Sequence, residues 1–323
     1  MADKPLVVAL GGNAIIRAKE QGTLEEQERN ARQSLAPIAR IIAAGHDVVL
    51  THGNGPIVGN ILLRNEAARS VVPAMPLFIC GADSQGGIGF MMQQVLGNEL
   101  AALGLKRSVA TVVTQVLVDA ADPAFREPTK PIGPFFSASD AHLLRVRLGW
   151  SMTEDSGRGF RRVAPSPAPR EIIELPAIRA LLAVGVTVIA VGGGGIPVMR
   201  DAIGALRGVE AVVDKDRSAV LLARELGAEA LVFLTAVPAV LHHYGEPDEA
   251  PIHRISVAEV AREMANGEFA AGSMGPKIEA AIQFLSDGGE MVLITNPENL
   301  EAALEGKAGT RITRSGAPAP LLG

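Results

Sequence analysis

At 323 residues the chain is long for one compact core and comfortable for two lobes, and it can bury enough surface to fold without disulfides or a structural metal. Thirty Lys plus Arg against thirty-five Asp plus Glu leave a net charge of −5, which gives no electrostatic reason to bind nucleic acid or a membrane and favours small-molecule chemistry. The single cysteine, Cys80, has no partner within the chain, so a reducing compartment, the cytoplasm, is expected.

The opening MADKPLVVALGGN carries an acid ahead of a short apolar run and reads as a first strand rather than a secretory signal. LVVAL (6–10) runs directly into GGNA. Residues 24–44 favour a helix up to Gly45, with Pro37 arguing for a kink or break. DVVLT (47–51) then runs into HGNGP, and a helical stretch over 84–103 stops at Gly104.

Residues 119–170 differ in texture. They hold Arg126, Lys130, Arg145, Arg147, Arg158, Arg161, Arg162 and Arg170, many prolines and the only tryptophan, Trp150. Composition alone allows a solvated insertion or a basic flap that meets an anionic substrate. Residues 180–199 lack any charge and match a bilayer span in length. Gly185, the β-branched run 186–191, the glycines at 192–195 and Pro197 would break such a helix, so the segment reads as helix end, buried strand and glycine loop. Pro276 opens a helix with Ile278, Ala281, Ile282 and Leu285 on one face, and MVLIT (291–295) runs into NPENL.

Strands without polar alternation are buried on both faces. The predicted fold is therefore α/β: an open, mainly parallel, doubly wound sheet sandwiched by helices. Ligands bind such sheets at the carboxyl ends of the strands, where the loops 11–13, 53–55 and 192–195 offer bare N–H groups to a phosphate or carboxylate. The P-loop pattern is absent, and Gly53-Asn54-Gly55 with Gly59 is one residue too wide for a dinucleotide fingerprint.

GVEAVVDKDRSAVLLARELG (208–227) reads as a strand or loop ending near Val213, then a helix with Ala219, Leu222, Ala223 and Leu226 on its apolar face. Asp214 and Asp216 suit the positive end of its dipole, but Lys215 does not. Lys277, just after Pro276, repeats the anomaly. Either both ammonium groups reach out to water, or both point into the cleft beside the glycine loops, where a polyphosphate offsets their repulsion and Asp216 holds them.

VVALGGNAI, THGNGPIVGN, REPTKPIGPFF, RRVAPSPAP, VGGGGIPV, GVEAVVDKDRSA and GSMGPKIEAAIQF, in this order, resemble carbamate kinases, members of the amino acid kinase superfamily. The resemblance spans about 6–310. It implies an amino acid kinase-like α/β/α fold with a protruding flap at about 119–170, an N-terminal lobe (1–185) for the phosphoryl acceptor and a C-terminal lobe (186–323) for the nucleotide. It further implies a homodimer, Mg²⁺ with ATP or ADP, and the interconversion of ATP and carbamate with ADP and carbamoyl phosphate.

Carried over position by position, the resemblance makes Lys130, Lys215, Asp216 and Lys277 catalytic. Gly11, Gly12, Asn13, Gly53, Asn54, Gly55, Gly193 and Gly194 become substrate and phosphate contacts. Lys215, Tyr244, Ser273, Met274, Gly275 and Lys277 become nucleotide contacts. Two segments depart from the family's habit. In GADSQGGIGF, Asp83 and Gly87 replace larger apolar residues, with Asp83 expected to face solvent or cap the following helix. In LTAVPAVLHHYGEP, Pro238 and the pair His242-His243 are unusual; adjacent strand residues face opposite ways, so no metal site is expected.

Overall fold

The computed structural model describes residues 4–17, 20–155, 157, 159–269 and 274–315, with Asn13 described by its backbone alone. Its centre is an eight-stranded sheet in the order Arg254–Ser256, Thr310–Thr313, Met291–Thr295, Ala230–Leu234, Leu6–Leu10, Val48–His52, Thr187–Ile189, Val109–Thr111. Neighbours are parallel throughout except where Met291–Thr295 meets Thr310–Thr313.

The apolar runs form strands because both sheet faces are covered. Along Leu6–Leu10 every residue is buried, with Val7 and Ala9 entering one core and Leu6, Val8 and Leu10 the other. Helices Leu24–Ala43 and Leu77–Ala102 supply Leu35, Ile38, Met92 and Leu96 to the second core. Helices Lys215–Leu226 and Gly275–Ser286 supply Leu222 and Ile278 to the first. The result is the expected α/β/α sandwich.

Register then positions the site. Leu10 pairs with both His52 and Leu234, and Leu234 with Thr295, so these strands all end on one edge. Gly11, Gly53, Thr235 and Asn296 follow them there. The uncharged stretch 180–199 resolves into the end of helix Leu175–Ala183, strand Thr187–Ile189, the turn Gly192–Gly194 and strand Ile196–Arg200. Among the described residues no helix is long and apolar enough to cross a membrane.

Within 119–170 the chain builds its own antiparallel sheet, Lys130–Phe136, Phe160–Ala164 and Met152–Glu154, with helix Ala138–Leu148. Composition could not say what its arginines do. Arg162 stacks 4.6 Å over Trp150, Arg161 5.3 Å over Phe135 and Arg145 5.5 Å over Phe160, so these cations pack the unit's own aromatic rings.

Two local expectations are corrected. Pro37 does not break its helix, which runs continuously over Leu24–Ala43; burial of Pro37, Ile38, Ile41 and Ile42 outweighs one lost main-chain bond. The helix expected from 84 begins at Leu77, because its first free N–H is met by Glu210 Oε1 at 2.6 Å, a cap from far along the chain. Asp83 consequently lies inside that helix rather than at its start, and of the two expectations for it the solvent-facing one holds: it is exposed, beside Arg64 and Phe90, outside the cleft described below.

Candidate active site

The helix Lys215–Leu226 starts where it does because Asp214 caps it: the Asp214 carboxylate accepts from Asp216 N at 2.9 Å and Arg217 N at 3.3 Å. This first turn aims Lys215 and Asp216 at the sheet edge. Lys215 Nζ donates to Asp216 Oδ1 at 2.7 Å, and Lys277 Nζ, from the first turn of Gly275–Ser286, reaches Asp216 Oδ2 at 3.4 Å. One carboxylate, only 3% exposed, thus lies between two lysines that are sixty-one residues apart from it or adjacent to it in sequence.

Lys277 is 7% exposed. Burial, and then the charge of Lys215, push its pKa below that of an ordinary lysine, with Asp216 opposing both. Asp214 also binds Lys130 Nζ, from the 119–170 unit. Burial pushes the Asp214 carboxyl up, but the Lys130 charge and hydrogen bond and the Lys215 charge outweigh it and bring it down to about 2. Three ammonium groups against two carboxylates leave these five side chains with one net positive charge.

Two cavities meet at the cluster. One, of 290 Å³, is lined by Gly53, Asn54, Gly55, Lys130, Gly193 and the Asp214–Asp216 turn. The other, of 610 Å³, is lined by Gly11, Arg17, Thr235, Asn296 and their neighbours. Gly12, Lys215 and Lys277 line both.

The glycine turn is needed for its shape. Gly193 has φ +65°, and a Cβ there would fall 2.2 Å from Asn54 Nδ2; on Gly194, at φ +95°, it would fall 2.2 Å from Val213 O. Side chains behind the wall hold the loops. Gln85 Nε2 donates to Gly192 O at 2.9 Å and to Thr114 O at 3.1 Å, while Asn54 Nδ2 donates to Ser84 Oγ at 2.8 Å. Ser218 Oγ donates to Gly194 O at 2.7 Å.

His52 packs beneath the same loops. Its Nδ1 donates to Gly53 O at 3.1 Å, and a Cβ on Gly192 would sit 2.4 Å from its Nε2. Burial lowers its pKa from 6.5 to about 4, so the ring is neutral at physiological pH and supports a loop rather than moving a proton. Between these values the unfolded chain binds a proton that the folded chain does not. This contribution to stability is complete above pH 6.5 and is lost as pH falls towards about 4. Denaturant titrations should show a loss of about 3 kcal/mol across that window, and a visibly flatter pH dependence in His52→Gln.

Of the residues expected at the site, Lys130, Lys215, Asp216, Lys277, Gly11, Gly12, Gly53, Asn54, Gly55 and Gly193 line the paired cavities. Gly194 is buried behind the turn. Met274 and Gly275 open the helix that carries Lys277 and line neither cavity, and Tyr244 is 68% exposed and lines neither. Ser273 and the Asn13 side chain lie outside the described residues. His242 Nδ1 is 3.6 Å from Glu263 and His243 Nδ1 2.6 Å from Asp248, apart from the cleft. Sequence reasoning missed Asp214 as a cleft residue, along with Thr235 and Asn296. The last two had a readable signal, since each directly follows a strand on the loop edge.

An open, mostly parallel sheet with glycine loops and paired lysines at its carboxyl edge is the architecture of a phosphoryl-transfer family: residues 4–296 match the amino acid kinase family, and the chain belongs to it. More specifically, it is 47% identical over 310 residues to the carbamate kinase of Pyrococcus horikoshii, covering 95% of this chain and 98% of that protein. It is 48% identical over 313 residues to the carbamate kinase-like protein YahI of Escherichia coli, covering 96% and 99%. A solved structure of carbamate kinase from Giardia lamblia bound to AMP-PNP matches with a TM-score of 0.89 at 46% identity, covering 97% of this chain and 99% of that one.

Proposed function

We propose that the protein is a carbamate kinase, moving a phosphoryl group reversibly between ATP and carbamate to give ADP and carbamoyl phosphate. The observation that carries this reading is that two cavities of different size meet at Gly12, Lys215 and Lys277. A phosphoryl group held there has an acceptor on one side and a nucleotide on the other. The relatives named above support carbamate as the acceptor.

The chemistry asks for no general base. A carbamate oxygen is already anionic at neutral pH, so the barrier lies in bringing two anions together and in charge on the moving phosphoryl group. In this reading Lys215 and Lys277 clamp that group, and Asp216 orients both. Gly53, Asn54, Gly55 and Lys130 hold the acceptor; Gly12, Asn13 and Gly193 present N–H groups to phosphate oxygens, whereas Gly11 and Gly194, whose N–H groups already bond Leu234 O and Val191 O, shape the loops rather than contact phosphate as expected. The nucleotide occupies the larger cavity and extends towards Tyr244 and residues 273–275. Residues 1–185 form the acceptor lobe and 186–323 the nucleotide lobe, with strand Thr187–Ile189 lying on the acceptor side of the sheet.

Mg²⁺ belongs to this reading as the companion of the nucleotide. Among the described residues no group of three His, Cys, Asp or Glu side chains is placed to hold a metal; Asp214 and Asp216 already bind lysines, and Glu298 also lines the larger cavity. That suits an ion that arrives on phosphate oxygens and keeps much of its water. The reading also includes a homodimer, a cytoplasmic location, and use in the direction of ATP at the end of arginine or related catabolism. The dimer is supported by the outward face of helix Leu77–Ala102, where Phe90 is 64% exposed one turn from the bare Gly86 and Gly87; light scattering on the purified protein should give twice the chain mass.

An acceptor panel tests the reaction. With Mg-ATP, the protein should consume ATP with carbamate, formed from bicarbonate and ammonia, and not with N-acetylglutamate, glutamate or aspartate. Turnover confined to one of the amino acids would replace carbamate with that acceptor.

A further inference from the structure

The Asp214 carboxylate joins two parts of the molecule. Oδ1 accepts from the main-chain N–H groups of Asp216 and Arg217 and so caps the helix that carries Lys215. Oδ2 accepts from Lys130 Nζ, at the start of the strand Lys130–Phe136. That strand rests on helix Gly55–Ala68 through two glycines: a Cβ on Gly59 would lie 2.4 Å from Gly133 Cα. A second polar link, Arg162 to Glu210 at 3.3 Å, is made further from the cleft.

We propose that Asp214 is a positioning residue for the phosphoryl-transfer reaction, its charge holding Lys130, and with it the 119–170 unit, over the acceptor cavity. Three observations support this. An ammonium carries three donors; one directed at Asp214 leaves two for an anion in the cavity that both residues line. The charges also favour it, because Asp216 is already bound by Lys215 and Lys277 while Lys130 binds Asp214, so without Asp214 the half-exposed Lys130 would face two other ammonium groups and is able to withdraw into water. Finally, the carboxyl is ionised at neutral pH, being held at about 2 by Lys130 and Lys215 against its own burial.

The proposal rests on the carbamate kinase reading, and its test separates the two. Asn caps a helix as well as Asp does, so Asp214→Asn removes the charge while sparing the cap. In ATP formation this variant should raise KM for carbamoyl phosphate by ~10-fold or more, the effect of losing a charge-assisted hydrogen bond, with KM for Mg-ADP and the melting temperature unchanged. Because Asp214 acts through Lys130, Asp214→Asn combined with Lys130→Met should be no worse than Lys130→Met alone. Protease cleavage within 119–170 should be faster in Asp214→Asn and in Lys130→Met, by similar factors, than in the wild type. A wild-type KM in Asp214→Asn, effects that multiply in the double variant, or unchanged cleavage would each overturn the role. A wild-type protein that makes no ATP from carbamoyl phosphate overturns the functional reading instead, and the protease comparison still decides whether Asp214 holds the unit in place.

Discussion

Lys277→Ala is expected to lower kcat for ATP formation from carbamoyl phosphate by at least ~100-fold, the scale of losing one preorganised contact to a transition state, with the fold retained. Lys215→Ala should do the same. Both ammonium groups line both cavities and share one carboxylate, so each is in place before substrate arrives. The burial that lowers the pKa of Lys277 also strengthens its attraction to a phosphoryl group, because little water competes for its charge. Arginine is not expected to rescue either position, since a planar fork cannot replace a compact point charge between a carboxylate and a phosphate. Steady-state kinetics with folding monitored by circular dichroism checks this, and near-normal turnover in either alanine variant removes that lysine from the mechanism.

Asp216→Ala is expected to damage both activity and stability. The carboxylate is buried and lies between two ammonium groups, so deleting it leaves like charges facing one another in a poorly hydrated cleft. A cost of about 3 kcal/mol is expected, the lower end for breaking a buried ion pair, because Lys215 retains some contact with water. Adding Lys277→Met to Asp216→Ala should recover much of that stability, since it removes the repulsion, yet leave the enzyme inactive. The readouts are denaturant midpoints and kcat for the two single variants and the pair. Wild-type stability in Asp216→Ala would show that the two lysines do not depend on this carboxylate.

The parts of the molecule that were legible in the sequence are those whose physics is local. LVVAL and MVLIT read as strands because a strand covered on both faces has no polar alternation, and both lie in the centre of the sheet. Lys215 and Lys277 were conspicuous because each sits where a helix dipole repels it, which signals that some other charge holds it there. The rest depended on partners distant in sequence. Helix Leu77–Ala102 begins before its local signals because Glu210 caps it. Arg145, Arg161 and Arg162 carry no periodicity that distinguishes stacking on aromatic rings from facing a substrate. Asp214 looked like an ordinary helix cap, and its second bond, to Lys130, joins residues eighty-four positions apart. Pro37 misled in the opposite direction, a local rule overridden by packing.

Phosphorus NMR on one tube holding the protein, Mg-ADP and carbamoyl phosphate tests most directly whether phosphate passes between the two cavities. The expected result is loss of the carbamoyl phosphate resonance matched by growth of the γ-phosphate of ATP, abolished in Lys277→Ala. Appearance of inorganic phosphate alone, at the rate seen without protein, would contradict it.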